Sequence, residues 1–270
     1  MIAFAANSLL CRMALDGDVA DPAGFTIVRI VAGALTLVLL IVIRDRQWQF
    51  QRPNLPAVGS LFCYMFFFSF AYLTLSAATG ALLLFGAVQA TMLAVAAIGG
   101  ERFSGWGWLG LLIAIAGVVY LVAPGVTAPD PLGAVLMVIA GIAWGAYSLI
   151  GRGAVDPLKE TASNFLYLCV PGVLAALFFM DAWSMSGAGF LLASASGALA
   201  SGIGYAIWYA ALPTLSAGRA ATVQLTVPLI AAVGGVLFLA EDISSRLVIA
   251  SIFTIGGVWL VLNQRQTRAS

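Results

Sequence analysis

Residues 205–241 read YAIWYAALPTLSAGRAATVQLTVPLIAAVGGVLFLAE. The Thr-Leu-Ser-Ala at Thr214–Ala217 recurs at Thr74–Ala77, and the closing Glu241 recurs as Glu101, 140 positions earlier in both cases. The same offset pairs Arg12 with Arg152, Asp16 with Asp156, and Gly117-Val118 with Gly257-Val258. Ala, Leu and Gly coincide easily in so apolar a chain. Arg, Asp and Glu do not, because only 12 basic and 11 acidic residues occur in 270. A register held from near residue 12 to near residue 258 marks a duplicated unit. Paired repeats inside a membrane place a substrate site between the halves.

The composition is 62% hydrophobic and 9% charged, against about 25% charged in soluble chains. It therefore belongs to an integral membrane protein, with the lipid bilayer as its principal surroundings. The net charge of +1 gives no reason to expect a nucleic-acid partner. The chain has no histidine, and Cys11, Cys63 and Cys169 are scattered through apolar segments. Neither a metal site nor a cofactor is expected.

A spanning helix needs roughly 20 apolar residues. Charged and Pro/Gly breaks leave ten segments, at about 1–14, 22–43, 54–76, 79–100, 104–123, 131–151, 161–180, 186–212, 217–240 and 245–263. Pro22, Pro53, Pro131 and Pro213 account for several boundaries, since proline cannot continue an undisturbed helix. The first segment rises only about 21 Å against a core of about 30 Å. It reads as a half-span or the end of a longer helix; without a basic start it makes a poor signal peptide.

The expected architecture is all-α: ten transmembrane helices in two inverted five-helix repeats, residues 1–124 and 131–263, with a cytoplasmic tail at 264–270. An odd helix number per repeat turns the second copy upside down. With a cytoplasmic N-terminus, nine basic residues fall on the cytoplasmic side (Arg44, Arg46, Arg52, Arg102, Arg152, Lys159, Arg219, Arg265, Arg268). Only Arg12 and Arg246 fall opposite, as the positive-inside rule requires. Both termini are expected to be cytoplasmic.

Polarity at the bilayer midplane is the best pointer to a site. Gln89 lies at the centre of the fourth segment and Pro228 at the centre of the ninth, where the proline crowds the carbonyl of Gln224. Aromatic side chains suited to a cavity wall lie at Tyr64, Phe68 and Tyr72 on one face of the third segment, at Trp144 and Tyr147 on the sixth, and at Tyr205 and Trp208 on the eighth. Asn7 and Ser8 add polar groups on the first. The competing reading for the glutamines, Asn7 and Ser8 is hydrogen bonding between helices. For Trp48, Trp106, Trp108, Trp183, Trp259 and Tyr209 it is an interfacial belt. Arg29, seven residues inside the second segment, could bind a carboxylate, but it is expected to pair with Asp16, Asp18 or Asp21. Glu101 and Glu241 are expected to cap helices or pair locally, for instance with Arg102 or Arg246. The bare run Ser194, Ser196, Gly197, Ser201, Gly202 and Gly204 suits close packing or sliding.

The stretch from Tyr205 to Glu241, with its aromatic helix, Ala-rich restart, mid-helix Pro228 and terminal glutamate, resembles the drug/metabolite transporter superfamily, in its ten-helix branch of two EamA-type domains. Trp144-Gly145 fits the same family. The first repeat departs from it, with Val88 in place of Pro228 and Phe4-Ala5 in place of Trp144-Gly145. The resemblance extends to bacterial exporters of aromatic and other hydrophobic amino acids. It implies an inner-membrane carrier of small solutes such as amino acids, working as a monomer, with a dimer left open. An arginine at the place of Arg29 is familiar in that family and hints at a structural role. An intramembrane enzyme lacks its residues here: there is no histidine for a dyad or zinc motif, and no pair of deep aspartates. A proton-coupled antiporter of the same fold and a non-transporting scaffold remain open.

Overall fold

The structure is a computed structural model that describes residues 1–47, 51–99, 104–211 and 223–266, apart from the side chains of residues 153 and 264–266. Regular structure among the described residues is helical, with one isolated antiparallel bridge between Ala20 and Met185. The helices are α1 Ile2–Asp16, α2 Pro22–Asp45, α3 Leu55–Ala71, α4 Ala77–Ile98 and α5 Gly105–Val122. They continue with α6 Pro131–Ile150, α7 Pro157–Phe178, α8 Gly187–Ala211, α9 Thr226–Leu239 and α10 Ser245–Gln266. Seven of these (α2, α4, α5, α6, α7, α8 and α10) are long and apolar enough to cross a membrane. α3 and α9 are shorter apolar helices, and α1 has 15 residues. This is a multi-pass membrane protein.

Most of the helix starts share one chemical cause. A short polar side chain accepts the orphan amide three residues on, and proline often occupies the first turn. Asp21 caps Gly24, Asn54 caps Ala57, Asp130 caps Gly133 and Asp156 caps Lys159, each with proline next or next but one. Ser76, Ser104 and Ser186 do the same without proline. Each such cap is worth about 1 kcal/mol. Two expected boundaries shift for this reason. The third helix ends at Ala71 instead of 76 because Ser76 already caps α4, and α7 starts at Pro157 instead of 161 because Asp156 caps it. α7 also runs through Pro171, as membrane helices with supporting neighbours tolerate. Pro213 and the expected start of the ninth helix lie outside the described residues.

Helix α5 packs along α10, α2 along α7, α3 and α4 against α6, α1 against α8 and α9, and α4 against α9. Glycine sets the closest approach. A Cβ on Gly257 would lie 2.5 Å from the Gly110 carbonyl oxygen, and one on Gly117 would lie 2.7 Å from the Thr254 amide. The outward faces carry Leu35, Leu39, Ile98, Leu112 and Phe238, all exposed, as a lipid-facing surface requires. Trp106, Trp108, Trp183 and Trp259 are also exposed. Tyr209 is not: it is buried, contrary to the belt reading. Trp48 lies outside the described residues.

Ion pairs gather at the two ends of the bundle. At the C-terminal end of α2, Arg44 meets Asp156 at 2.5 Å and Lys159 meets Asp45 at 2.7 Å. Burial raises the Asp156 carboxyl, but hydrogen bonding to Arg44 and the charges of Arg44 and Lys159 outweigh that and hold it below the usual carboxylate range. At the C-terminal end of α1, Arg12 meets Asp16 at 2.6 Å and Glu241 at 3.4 Å. It also donates to the Tyr72 carbonyl at 3.0 Å. Glu241 accepts the Ala77 amide at 2.9 Å, at the start of α4. The glutamate thus caps and pairs, but with Arg12. Arg246 instead donates to the Leu121 and Ala123 carbonyls and lies over the Tyr120 ring. Glu101 and Arg102 lie outside the described residues.

Candidate substrate site

Arg29 on α2 is fully buried. Its Nη2 donates to the Tyr64 hydroxyl at 3.0 Å and its Nε to the Ser201 hydroxyl at 3.3 Å. The guanidinium carbon sits 4.9 Å from the Phe68 ring centre and 5.3 Å from that of Tyr64, within cation–π range. Nη1 has no hydrogen-bond partner among the described residues. Two of the three expected aspartate partners are engaged elsewhere. Asp16 holds Arg12, and Asp21 accepts the Gly24 and Ser184 amides. In an apolar interior a guanidinium without a counter-charge is costly, by about 2.5–3.5 kcal/mol on insertion scales.

Serine reaches Arg29 because α8 changes its winding. Residues Ser196–Ile203 form a π-helical stretch, a departure frequent at functional sites. Its i→i+5 spacing lets Ser196 and Ser201 address the same neighbour, Asn7 on α1. The Ser196 hydroxyl donates to Asn7 Oδ1, and Asn7 Nδ2 donates to the Ser201 hydroxyl at 3.3 Å. The small residues of this stretch permit the approach: a Cβ on Gly197 would lie 2.3 Å from the Arg29 carbonyl oxygen. Asn7, Ser196, Ser201, Arg29 and Tyr64 form one buried polar chain across α1, α2, α3 and α8.

Rings close over this chain. Tyr64 and Trp144 stand 4.9 Å apart between centres, and Trp144 and Tyr205 5.0 Å. Phe4 meets Trp144, Tyr205 and Trp208 edge-on at 5.8–5.9 Å. Phe4, Asn7, Tyr64, Phe68, Leu84, Phe85, Trp144 and Tyr205 enclose a space of about 10 Å³, room for one water molecule. A solute larger than water enters only when these walls part.

Five expected site residues therefore meet around one space: Asn7, Tyr64, Phe68, Trp144 and Tyr205. Trp208 joins through Phe4. Tyr147 touches Trp144 at 5.7 Å but opens on a second hollow that it shares with Glu160, Thr161, Asn164 and Tyr209. Ser8, Gln89 and Gln224 are buried and stand off the wall of the first space. Gln224 Oε1 has no partner among the described residues. A turn at Leu225 separates Gln224 from α9, three residues before Pro228. Sequence reasoning missed Phe4, Leu84, Phe85 and the serine partners of Asn7. Phe4 stands 140 positions before Trp144 and departs from it in residue type, yet the two rings meet at 5.9 Å between centres.

Residues 131–263 match the EamA-like transporter family. An uncharacterized protein of Pseudomonas aeruginosa is 47% identical over 270 residues, which is 100% of this chain and 94% of that protein. An uncharacterized transporter of Archaeoglobus fulgidus is 23% identical over 242 residues, 87% of this chain and 86% of the other. The chain belongs to the EamA-like transporter family. A solved structure titled only "Crystal structure of protein" superimposes with a TM-score of 0.69 over 96% of both chains at 22% identity, a likeness of fold alone. Membership makes the protein a transporter by family.

Proposed function

We propose that the protein is a carrier that exports small organic solutes, foremost aromatic and other hydrophobic amino acids, by alternating access without ion coupling. The observation that carries this reading is the ring cluster at the enclosed space, where Phe4 and Trp144, 140 positions apart, meet 5.9 Å between centres. Planar walls with a few polar tips suit a flat solute that carries polar groups. In proteoliposomes, Trp144→Ala is expected to cut phenylalanine flux about tenfold. Trp144 contacts several rings, and each aromatic pair is worth about 0.5–1.5 kcal/mol. Folded protein in the membrane is expected to fall far less. Equal loss of flux and of folded protein would make the ring a packing element only.

The reading includes ten spans in two inverted repeats with both termini cytoplasmic, in a bacterial inner membrane. Support comes from the helix pairs. Exchanging each helix for its partner five places on converts α3–α6 into α1–α8, α4–α6 into α1–α9, and α3–α7 into α2–α8, all of which occur as contacts. The pairs α2–α7, α4–α9 and α5–α10, which map onto themselves, are in contact too. A two-fold axis in the membrane plane produces this pattern. Single cysteines on a Cys-less background, one within 45–52 and one within 126–129, are expected to label from opposite sides. Labelling from one side would rule the topology out.

A further inference from the structure

Arg29 is the one described cation sunk wholly within the bundle, and the architecture surrounds it with hydroxyls and rings, not acids. Of the five guanidinium N–H groups, two are spent, on Tyr64 and Ser201. Nη1 is unused among the described residues. The acceptors it has found are hydroxyl oxygens and ring faces, which share the charge without neutralising it. A guanidinium edge of this kind matches a carboxylate, with two parallel charge-assisted hydrogen bonds. Tyr64 and Asn7 belong both to the polar chain around Arg29 and to the wall of the enclosed space. A solute in that space therefore lies one side chain from the cation.

We propose that Arg29 is the anchor for a carboxylate on the transported solute. The acid is received on the Nη1/Nη2 edge, its flanking hydrogen bonds come from the Tyr64 hydroxyl and the Asn7–Ser201 pair, and its apolar portion lies against Phe4, Trp144 and Tyr205. This rests on the carrier reading and adds its chemical selectivity: the protein takes monocarboxylates, amino acids among them, and rejects the corresponding amides. The loaded site then contains a neutral ion pair in place of a lone buried cation. The rejection follows because an amide is uncharged and offers only one acceptor oxygen to a two-pronged donor. A site built around a buried charged group discriminates far more strongly against a ligand that leaves it unpaired than an apolar pocket discriminates by size.

The test uses three probes: phenylalanine, phenylalaninamide and 3-phenylpropionate. The last keeps the carboxylate and lacks the ammonium group. With wild-type protein in proteoliposomes, phenylalanine flux is expected to be inhibited by excess 3-phenylpropionate, with phenylalaninamide about tenfold or more weaker as an inhibitor. Arg29→Gln is expected to raise the KM for phenylalanine and to abolish the difference between the two inhibitors. Arg29→Lys is expected to retain part of it, because charge survives and the fork does not. Equal inhibition by amide and acid in the wild-type protein would overturn the anchor and leave the carrier reading standing. Because Arg29→Gln also loses the hydrogen bonds to Tyr64 and Ser201 that join three helices, the wild-type thermal shift in detergent is a second measurement: phenylalanine and 3-phenylpropionate raise the melting temperature, the amide does not. That shift without any flux would overturn the carrier reading and keep the anchor. No shift from either acid would overturn the anchor itself.

Discussion

Gly197→Ala is expected to leave little folded protein, while Gly256→Ala is expected to fold as well as the parent. Both replace a glycine within a membrane helix by the best helix former, so propensity alone favours both variants. Space decides between them. A Cβ on Gly197 would stand 2.3 Å from the Arg29 carbonyl oxygen and 2.8 Å from the Ala32 Cβ, whereas one on Gly256 meets nothing within 4 Å. Neither obstacle at Gly197 is the end of a flexible side chain, so α2 and α8 must separate. Overpacking of this kind costs about 1–3 kcal/mol, and separating these helices also pulls Ser201 away from Arg29. Thermal unfolding of the purified proteins in detergent checks the pair: a clear drop for Gly197→Ala against no drop for Gly256→Ala. Matching melting temperatures would mean that the close approach of α2 and α8 is not needed for folding.

The contrast also explains what the sequence could say about this fold. Helix starts were legible because capping is local: Asp21-Pro22 and Asp130-Pro131 carry cap and first-turn proline side by side, and both helices begin there. The ring cluster was legible in part because Tyr64, Trp144 and Tyr205 sit deep in their segments. Depth fixes level, not direction. Gln89 has the right level on α4 but stands off the wall of the enclosed space, since the rotation of a helix about its axis is set by its neighbours. The same limit misassigned Arg29. Asp16, Asp18 and Asp21 are near in sequence and at the same membrane face, but Arg29 turns inward to Tyr64 and Ser201. The π-helical stretch has no local signature beyond a run of small residues. Ser196 and Ser201, five apart, would point to different sides of an ordinary α-helix, so their shared hold on Asn7 was hidden.

An imposed proton or sodium gradient is expected to leave a zwitterionic substrate at equal concentration on both sides of a sealed proteoliposome. Coupled carriers generally keep an ionisable group beside the substrate to carry the driving ion. Here the buried charged group in the polar chain is Arg29, and an arginine does not release its proton. The acids with defined basic partners lie at the ends of the bundle: Glu241 with Arg12 and the Ala77 amide, Asp156 with Arg44, Asp45 with Lys159. The free energy at stake is large enough to read cleanly. A charge moved through 100 mV is worth about 2.3 kcal/mol, which would sustain roughly a 50-fold concentration ratio at 1.36 kcal/mol per tenfold. The expected ratio is about one, within error, for phenylalanine with either gradient. Uphill accumulation that collapses with a protonophore and is lost in Glu241→Gln would assign the proton to the Arg12–Glu241 pair. It would then make the ion cluster at that end of the bundle part of the transport cycle, not only a clasp between α1, α4 and the end of α9.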